Sequence, residues 1–238
     1  MTFQVGVSMN EGALLASDRL MVNTNGPRVA FQAPKIIVYE ELGFAHCSAG
    51  DDFCSTLTKM VRDELESKST DFADGEMMDV RTALENLVKR ARLEEAGYAE
   101  KVNAFRFRTP VVECAGGTTM LVFRGKRAVS LWKIDTLRPY PSPILIGPVQ
   151  CVMSGDTNGA GVFFGRHYFR SKSFNLNAMI RLAAHTVLMA KGDNVEGLEI
   201  GVFTKNRFGL LSDEDLNTLI ALSKEIDSDI LRRLQAGG

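Results

Sequence analysis

Thr2-Phe3-Gln4-Val5-Gly6-Val7-Ser8-Met9-Asn10-Glu11-Gly12-Ala13-Leu14-Leu15-Ala16-Ser17-Asp18 follows the first methionine of the chain. Phe3, Val5, Val7 and Met9 alternate with Gln4, Gly6 and Ser8, the two-residue period of a half-buried strand. Glu11-Gly12 supplies a turn, and Ala13 to Ser17 supplies the returning strand, so the stretch predicts a β-hairpin. Beyond it, Asn23-Thr24-Asn25-Gly26-Pro27 reads as a loop. Ile36 to Tyr39 and Phe44 to Ser48 then predict a second strand pair around a turn at 40–43.

Further along, the period changes. Phe53, Leu57, Met60, Val61 and Leu65 recur at helical spacing, and Asp51 and Asp52 favour the positive end of a helix dipole. Val80, Ala83, Leu84, Leu87, Val88 and Ala91 form a second helical stripe. The pattern fades from Leu93 to Glu113, which reads as a loop or irregular insertion with an edge strand at Phe105 to Arg108. Strands return at Thr118 to Phe123, Ala128 to Asp135 and, after a Pro-rich loop, Cys151 to Ser154. Asp156 to Arg170 and Asn177 to Ala190 read as helices, the second capped by Gly192. Leu198 to Thr204 reads as a strand, and Ser212 to Asp215 as a capping box opening the last helix. Paired strands and paired helices, twice over, imply two sheets packed together with helices outside each. The expectation is an α+β, four-layer αββα sandwich forming one domain over residues 1–238, with the insertion at about 93–113.

Composition narrows the function. The chain has 238 residues, 45% of them hydrophobic and 24% charged, the balance of a globular protein with a large core. Lys plus Arg number 28 against 29 Asp plus Glu, for a formal charge of −1. Such a balance gives no bulk attraction to nucleic acid or anionic lipid, and neither is expected as a partner. No apolar run is long enough to span a bilayer, and the first residues lack the pattern of a secretory signal, so a cytoplasmic location is expected. Four cysteines without CxxC spacing read as reduced thiols. Three histidines without ligand spacing leave no expected metal or other cofactor and no histidine-based triad.

Thr2 offers different chemistry. Loss of Met1 leaves a hydroxyl and a free α-amine on one residue. An α-amine titrates near 7.7–8.0 in model compounds, so a useful fraction is free base at neutral pH and can take the hydroxyl proton. Taken alone, Thr2 also reads simply as the start of a strand. Asp18 ends the second strand and Lys35 precedes the third. If those strands neighbour the first, an ammonium held by a carboxylate would stabilise negative charge at Thr2. A structural ion pair is the competing reading. Ser48-Ala49-Gly50 closes a strand before a helix, where unpaired backbone N–H groups can form an oxyanion hole. Ser154 and Asp193 could hold the amine by hydrogen bonds, or serve only as turn and cap residues.

Together these residues resemble the proteasome β-subunit superfamily of N-terminal-nucleophile hydrolases. Thr2, Gly12, Ala16 and Asp18 match the family opening without a gap, and Lys35-Ile36 resembles the family lysine after one inserted residue. Ser48-Ala49-Gly50 resembles its oxyanion glycine motif, Ser154-Gly155 its serine, and Asp193 its late aspartate. Leu20 stands where many members carry arginine, and Glu196 where serine is usual. The Met-Thr start resembles the bacterial branches: the HslUV peptidase, Anbu and the betaproteobacterial homologue. Length and insertion fit the last two. The resemblance implies a self-compartmentalising threonine peptidase with Thr2 as nucleophile, Lys35 and Asp18 tuning it, the Gly50 amide holding the oxyanion, and Ser154 and Asp193 positioning the amine. It implies Ala33, Ser48 and Asp52 lining the substrate pocket, a homo-oligomeric single or double ring, peptide or unfolded-protein substrates, and an ATP-dependent unfoldase as a candidate partner. Two alternatives stand beside it: a non-proteolytic ring scaffold, and a small-molecule amidase of the same mechanism.

Overall fold

The structure, a computed structural model, describes residues 2–23, 29–50, 52–104, 117–136, 143–155, 167–169, 175–190 and 197–236. The opening hairpin forms as β1 (Phe3–Met9) and β2 (Gly12–Ser17). A short ribbon follows, β3 (Leu20–Asn23) with β4 (Val29–Gln32), then β5 (Ile36–Tyr39) and β6 (Phe44–Gly50). Helices α1 (Asp52–Ser67) and α2 (Met77–Ala104) lead to β7 (Gly117–Arg124), β8 (Val129–Asp135), β9 (Ile144–Ile146) and β10 (Gln150–Gly155). Helix α3 (Leu176–Met189), β11 (Glu199–Thr204), β12 (Phe208–Leu210) and α4 (Asp213–Ala236) complete the described order.

Two antiparallel five-stranded sheets result, in the orders β10-β1-β2-β11-β12 and β5-β6-β7-β8-β9. Three apolar clusters hold them. Phe3, Val5, Val7, Leu14, Ala16, Ile200 and Val202 of the first sheet pack against Met179, Ala183, Ala184 and Val187 of α3. Phe44, Leu121, Phe123 and Trp132 of the second sheet pack against α1 and α2 through Phe53, Leu57, Val61, Leu84 and Val88. Ala13, Leu15 and Phe203 of the first sheet meet Ile36, Cys47, Met120, Val122 and Leu131 of the second.

Strand β1 corrects the half-buried expectation, because both of its faces are covered. Its apolar residues face the helices, while Gly6 faces the other sheet. A Cβ on Gly6 would lie 2.7 Å from Met120 Sδ and 3.1 Å from Val152. The glycine lets the sheets approach at that point.

Helix α2 also departs from expectation. It runs on to Ala104, through the stretch from Leu93 read as loop. Leu93, Glu94, Glu95, Ala96 and Ala99 are favourable helix residues, and Thr56 of α1 donates a hydrogen bond of 2.8 Å to Glu95. The helical period is lost there because Leu93 and Tyr98 are exposed, so no core constrains the pattern. Residues 105–116, including the expected edge strand, lie outside the described residues, as do Gly192 and nearly all of the helix expected at 156–170. Strands β3, β4, β9 and β12 were not expected; each has only three or four residues, too few to show a period. Ser212 does cap the last helix: its hydroxyl accepts from the Asp215 N–H at 3.1 Å and donates to the Asp215 carboxylate at 2.9 Å.

An aromatic row covers the helix-facing side of the second sheet. Tyr39 stacks on Phe44, Phe44 on Phe123 and Phe123 on Phe72, with centroids 5.3–5.7 Å apart. His46 stacks on Phe44 at 5.5 Å, and burial lowers its pKa from 6.5 to about 4. A neutral folded imidazole and a protonating unfolded one make stability fall as pH drops from 6.5 to 4, because the unfolded chain binds more protons in that window. The loss is about 3 kcal/mol across it. His46→Phe, which keeps the stack, is expected to flatten the melting-temperature profile over that pH range. An unchanged slope would contradict the assignment.

Candidate active site

The register of the strands brings the chemistry to one end of the molecule. Phe3 opens β1 beside Asp18, the residue after β2. The Phe3 N–H donates to Asp18 Oδ1 at 2.8 Å, and the Asp18 N–H returns to the Phe3 carbonyl at 3.2 Å. The Leu20 N–H donates to Asp18 Oδ2 at 3.1 Å. Asp18 is completely buried, and these donors give each of its carboxylate oxygens a partner. On the other side, Gly155 pairs with Phe3. A Cβ on Gly155 would lie only 1.7 Å from the Thr2 carbonyl oxygen, and its φ is +89°, so only glycine fits β10 against Thr2.

Lys35 arrives from the second sheet. Its Nζ donates to Asp18 Oδ2 at 2.6 Å and to Thr2 Oγ1 at 3.0 Å. The ion pair is buried on both sides. Burial pushes the Lys35 pKa below its ordinary value, while the hydrogen bond and charge of Asp18, and then the charge of Glu199, oppose that shift. Thr2, Asp18 and Lys35 are therefore brought together as hydroxyl, carboxylate and bridging ammonium.

The remaining expected residues are placed as follows. Gly50 closes β6 opposite Gly117, and Ile36 pairs with Cys47, so residues 48–50 run past Lys35 at the same end of the sheet. A Cβ on Gly117 would sit 2.5 Å from the Gly50 Cα, which makes this pairing unusually close. Ser154 pairs with Gln4 and donates to its Oε1 at 3.2 Å rather than to Thr2. Strand alternation still puts Ser154 on the Thr2 side of the sheet, as a diagonal neighbour. Ser48 shares a hydrogen bond of 3.1 Å with the Thr119 hydroxyl, and the Ala33 N–H donates to the Arg19 carbonyl at 2.9 Å. Asp52 is the first residue of α1, but its side chain, like all of Asp193 and Glu196, lies outside the described residues. Among the described residues, no three His, Cys, Asp or Glu side chains form a metal-binding group, and no helix is long and apolar enough to cross a membrane.

Two buried polar residues escaped the sequence reading. Gln4 looked like the solvent side of β1 but is fully buried between Thr2 and Gly6 in the chain. Glu199 is 5% exposed, and its Oε2 accepts both the Lys35 and Ile36 N–H groups at 2.8 Å. The available signal was a carboxylate opening the otherwise apolar strand Leu198 to Thr204.

The same arrangement of strands and helices occurs in solved structures. The fold resembles that of the Anbu proteins. Anbu (Gly-1 mutant) from Hyphomicrobium sp. strain MC1 superposes with a TM-score of 0.71 at 16% identity, covering 99% of this chain and 97% of that one. Anbu, an ancestral β-subunit, from Yersinia bercovieri gives 0.71 at 13% identity, covering 98% and 97%. The helical assembly of the Anbu complex from Pseudomonas aeruginosa gives 0.71 at 12% identity, covering 98% and 96%. No protein-family model matches the chain, and no curated protein matches it by sequence. At these identities the likeness to Anbu is one of fold.

Proposed function

We propose that the chain is a proteasome-like N-terminal-nucleophile hydrolase, an αββα sandwich acting as a threonine peptidase on peptides or unfolded proteins. The observation that carries this reading is the buried Lys35 ammonium, hydrogen-bonded at once to Asp18 and to the Thr2 hydroxyl. Removal of Met1 frees the Thr2 amine, which takes the proton from Oγ1, directly or through a water, as Oγ1 attacks the scissile carbonyl. The Lys35 N–H aimed at Oγ1 stabilises the negative charge that develops there. Asp18 keeps Lys35 charged and oriented against the desolvation it suffers. The Gly50 N–H holds the carbonyl oxygen, a contribution of about 10²–10³ in rate for such donors. Ser154 and Asp193 position the amine, which then protonates the leaving amine; water hydrolyses the resulting ester. Ala33, Ser48 and Asp52 line the pocket beside the bond cut.

The Anbu-like fold supports assembly into homo-oligomers that enclose the sites, with an ATP-dependent unfoldase as the class of partner that would feed them. A ring scaffold without peptidase activity is the second reading, favoured by Glu196 where the family usually carries serine. Hydrolysis of a casein-like unfolded protein, set beside hydrolysis of simple amides, separates the readings on chain that begins at Thr2. The proposal expects the unfolded protein to be cut. Activity should fall at alkaline pH with a midpoint below 10.5, as Lys35 loses the proton it donates to Oγ1. Cleavage of the amides alone would favour the amidase, and no cleavage of either the scaffold.

A further inference from the structure

Lys35 and its two partners belong to different sheets. Thr2 and Asp18 sit at the end of β1 and β2, whereas Lys35 immediately precedes β5. The meeting of ammonium and hydroxyl therefore depends on how the two sheets are aligned. Apolar packing between them is non-directional and tolerates sliding. Hydrogen bonds do not. At this level of the sandwich, Glu199 supplies them. It lies on β11 opposite Ser17, the neighbour of Asp18, and its carboxylate crosses to the second sheet.

The Lys35 and Ile36 N–H groups converge on one oxygen, Oε2, each at 2.8 Å. Successive N–H groups that converge in this way form a concavity selective for an anion. Here the chain fills it with its own buried carboxylate. Glu199 also brings a second negative charge near the Lys35 ammonium and the buried Cys47 thiol, both of which it favours in the protonated form.

We infer that Glu199 is a positioning residue, which clamps the Lys35 and Ile36 amides of the second sheet to the first so that the Lys35 ammonium lands on the Thr2 hydroxyl. The consequence for turnover rests on the peptidase reading; the clamp itself does not. A misplacement of about 1 Å in a catalytic group can cost on the order of 10² in rate.

The test compares Glu199→Gln with Glu199→Asp in full-length chain processed to Thr2. Glutamine keeps the length and an acceptor oxygen but no charge. Aspartate keeps the charge but is one methylene too short to reach both amides. Acylation of Thr2 by a peptide substrate is expected to fall about 10²-fold in Glu199→Asp with KM little changed, and to stay within about threefold of wild type in Glu199→Gln. The reverse order, or equal rates in all three proteins, would overturn the clamp. A second readout is independent of turnover: the NMR signals of the Lys35 Cε and Nζ, assigned by their loss in Lys35→Met. They should move further in Glu199→Asp, where the ammonium is displaced, than in Glu199→Gln, where only a neighbouring charge is lost. If wild type cuts nothing, the peptidase reading fails, and these signals alone decide for or against the clamp.

Discussion

Thr2→Ala is expected to abolish peptide hydrolysis, lowering kcat/KM by at least about 10⁴-fold, because in the proposed mechanism it removes the attacking atom and leaves no other hydroxyl among the described residues bonded to the Lys35 ammonium. The Lys35 Nζ loses its hydrogen bond to Thr2 Oγ1 but keeps Asp18 at 2.6 Å. The variant should therefore fold with a melting temperature close to that of wild type. Thr2→Ser restores a hydroxyl and an α-amine on one residue and should recover a substantial part of the rate. Initial rates on an unfolded protein, together with thermal unfolding curves, check both expectations. Alanine at position 2 with retained activity would place the nucleophile elsewhere. A large loss of stability would mean that Thr2 acts chiefly as a structural residue.

The second large effect concerns stability. Lys35→Met removes the ammonium paired with Asp18 and leaves that carboxylate completely buried. Breaking one side of such a pair costs about 3–5 kcal/mol, because the remaining ion is desolvated and uncompensated. The Phe3 and Leu20 N–H groups still donate to Asp18 and limit the damage. Adding Asp18→Asn to Lys35→Met removes the stranded charge while keeping an acceptor for those amides. The double variant should regain most of the lost stability while remaining inactive. Denaturant unfolding of the two variants is the check. A single variant within about 1 kcal/mol of wild type would show that the pair is far better solvated than its burial indicates.

Much of this was legible in the residues themselves. The hairpin from Phe3 to Ser17 announces its strands by alternation, and α1 and the first half of α2 announce their buried stripes. The pairing of β1 with β2 and of β5 with β6 could be read because those hairpins are local and short. Thr2, Asp18 and Lys35 could be nominated because they fall at strand ends, where pairing would gather them. What failed was information carried by contacts distant in sequence. Gln4 and Glu199 look like surface residues in a strand read singly, yet both are buried, and Glu199 meets Lys35 and Ile36 from more than 160 residues away in sequence. Ser154 was expected to turn towards Thr2, but its hydroxyl bonds to Gln4, a partner 150 residues away in sequence. The end of α2 was lost for the opposite reason: it packs on so little that its sequence carries no stripe.

The central claim is that one residue supplies both nucleophile and base, and a peptide epoxyketone tests it most directly. That electrophile closes a stable ring only with a hydroxyl and a primary amine on the same residue. Intact mass and tandem fragmentation of chain purified from its native host should show one adduct per subunit, located on Thr2 and confined to molecules that have lost Met1. Chain that begins at Thr2, cuts peptide and yet carries no adduct there would contradict the account.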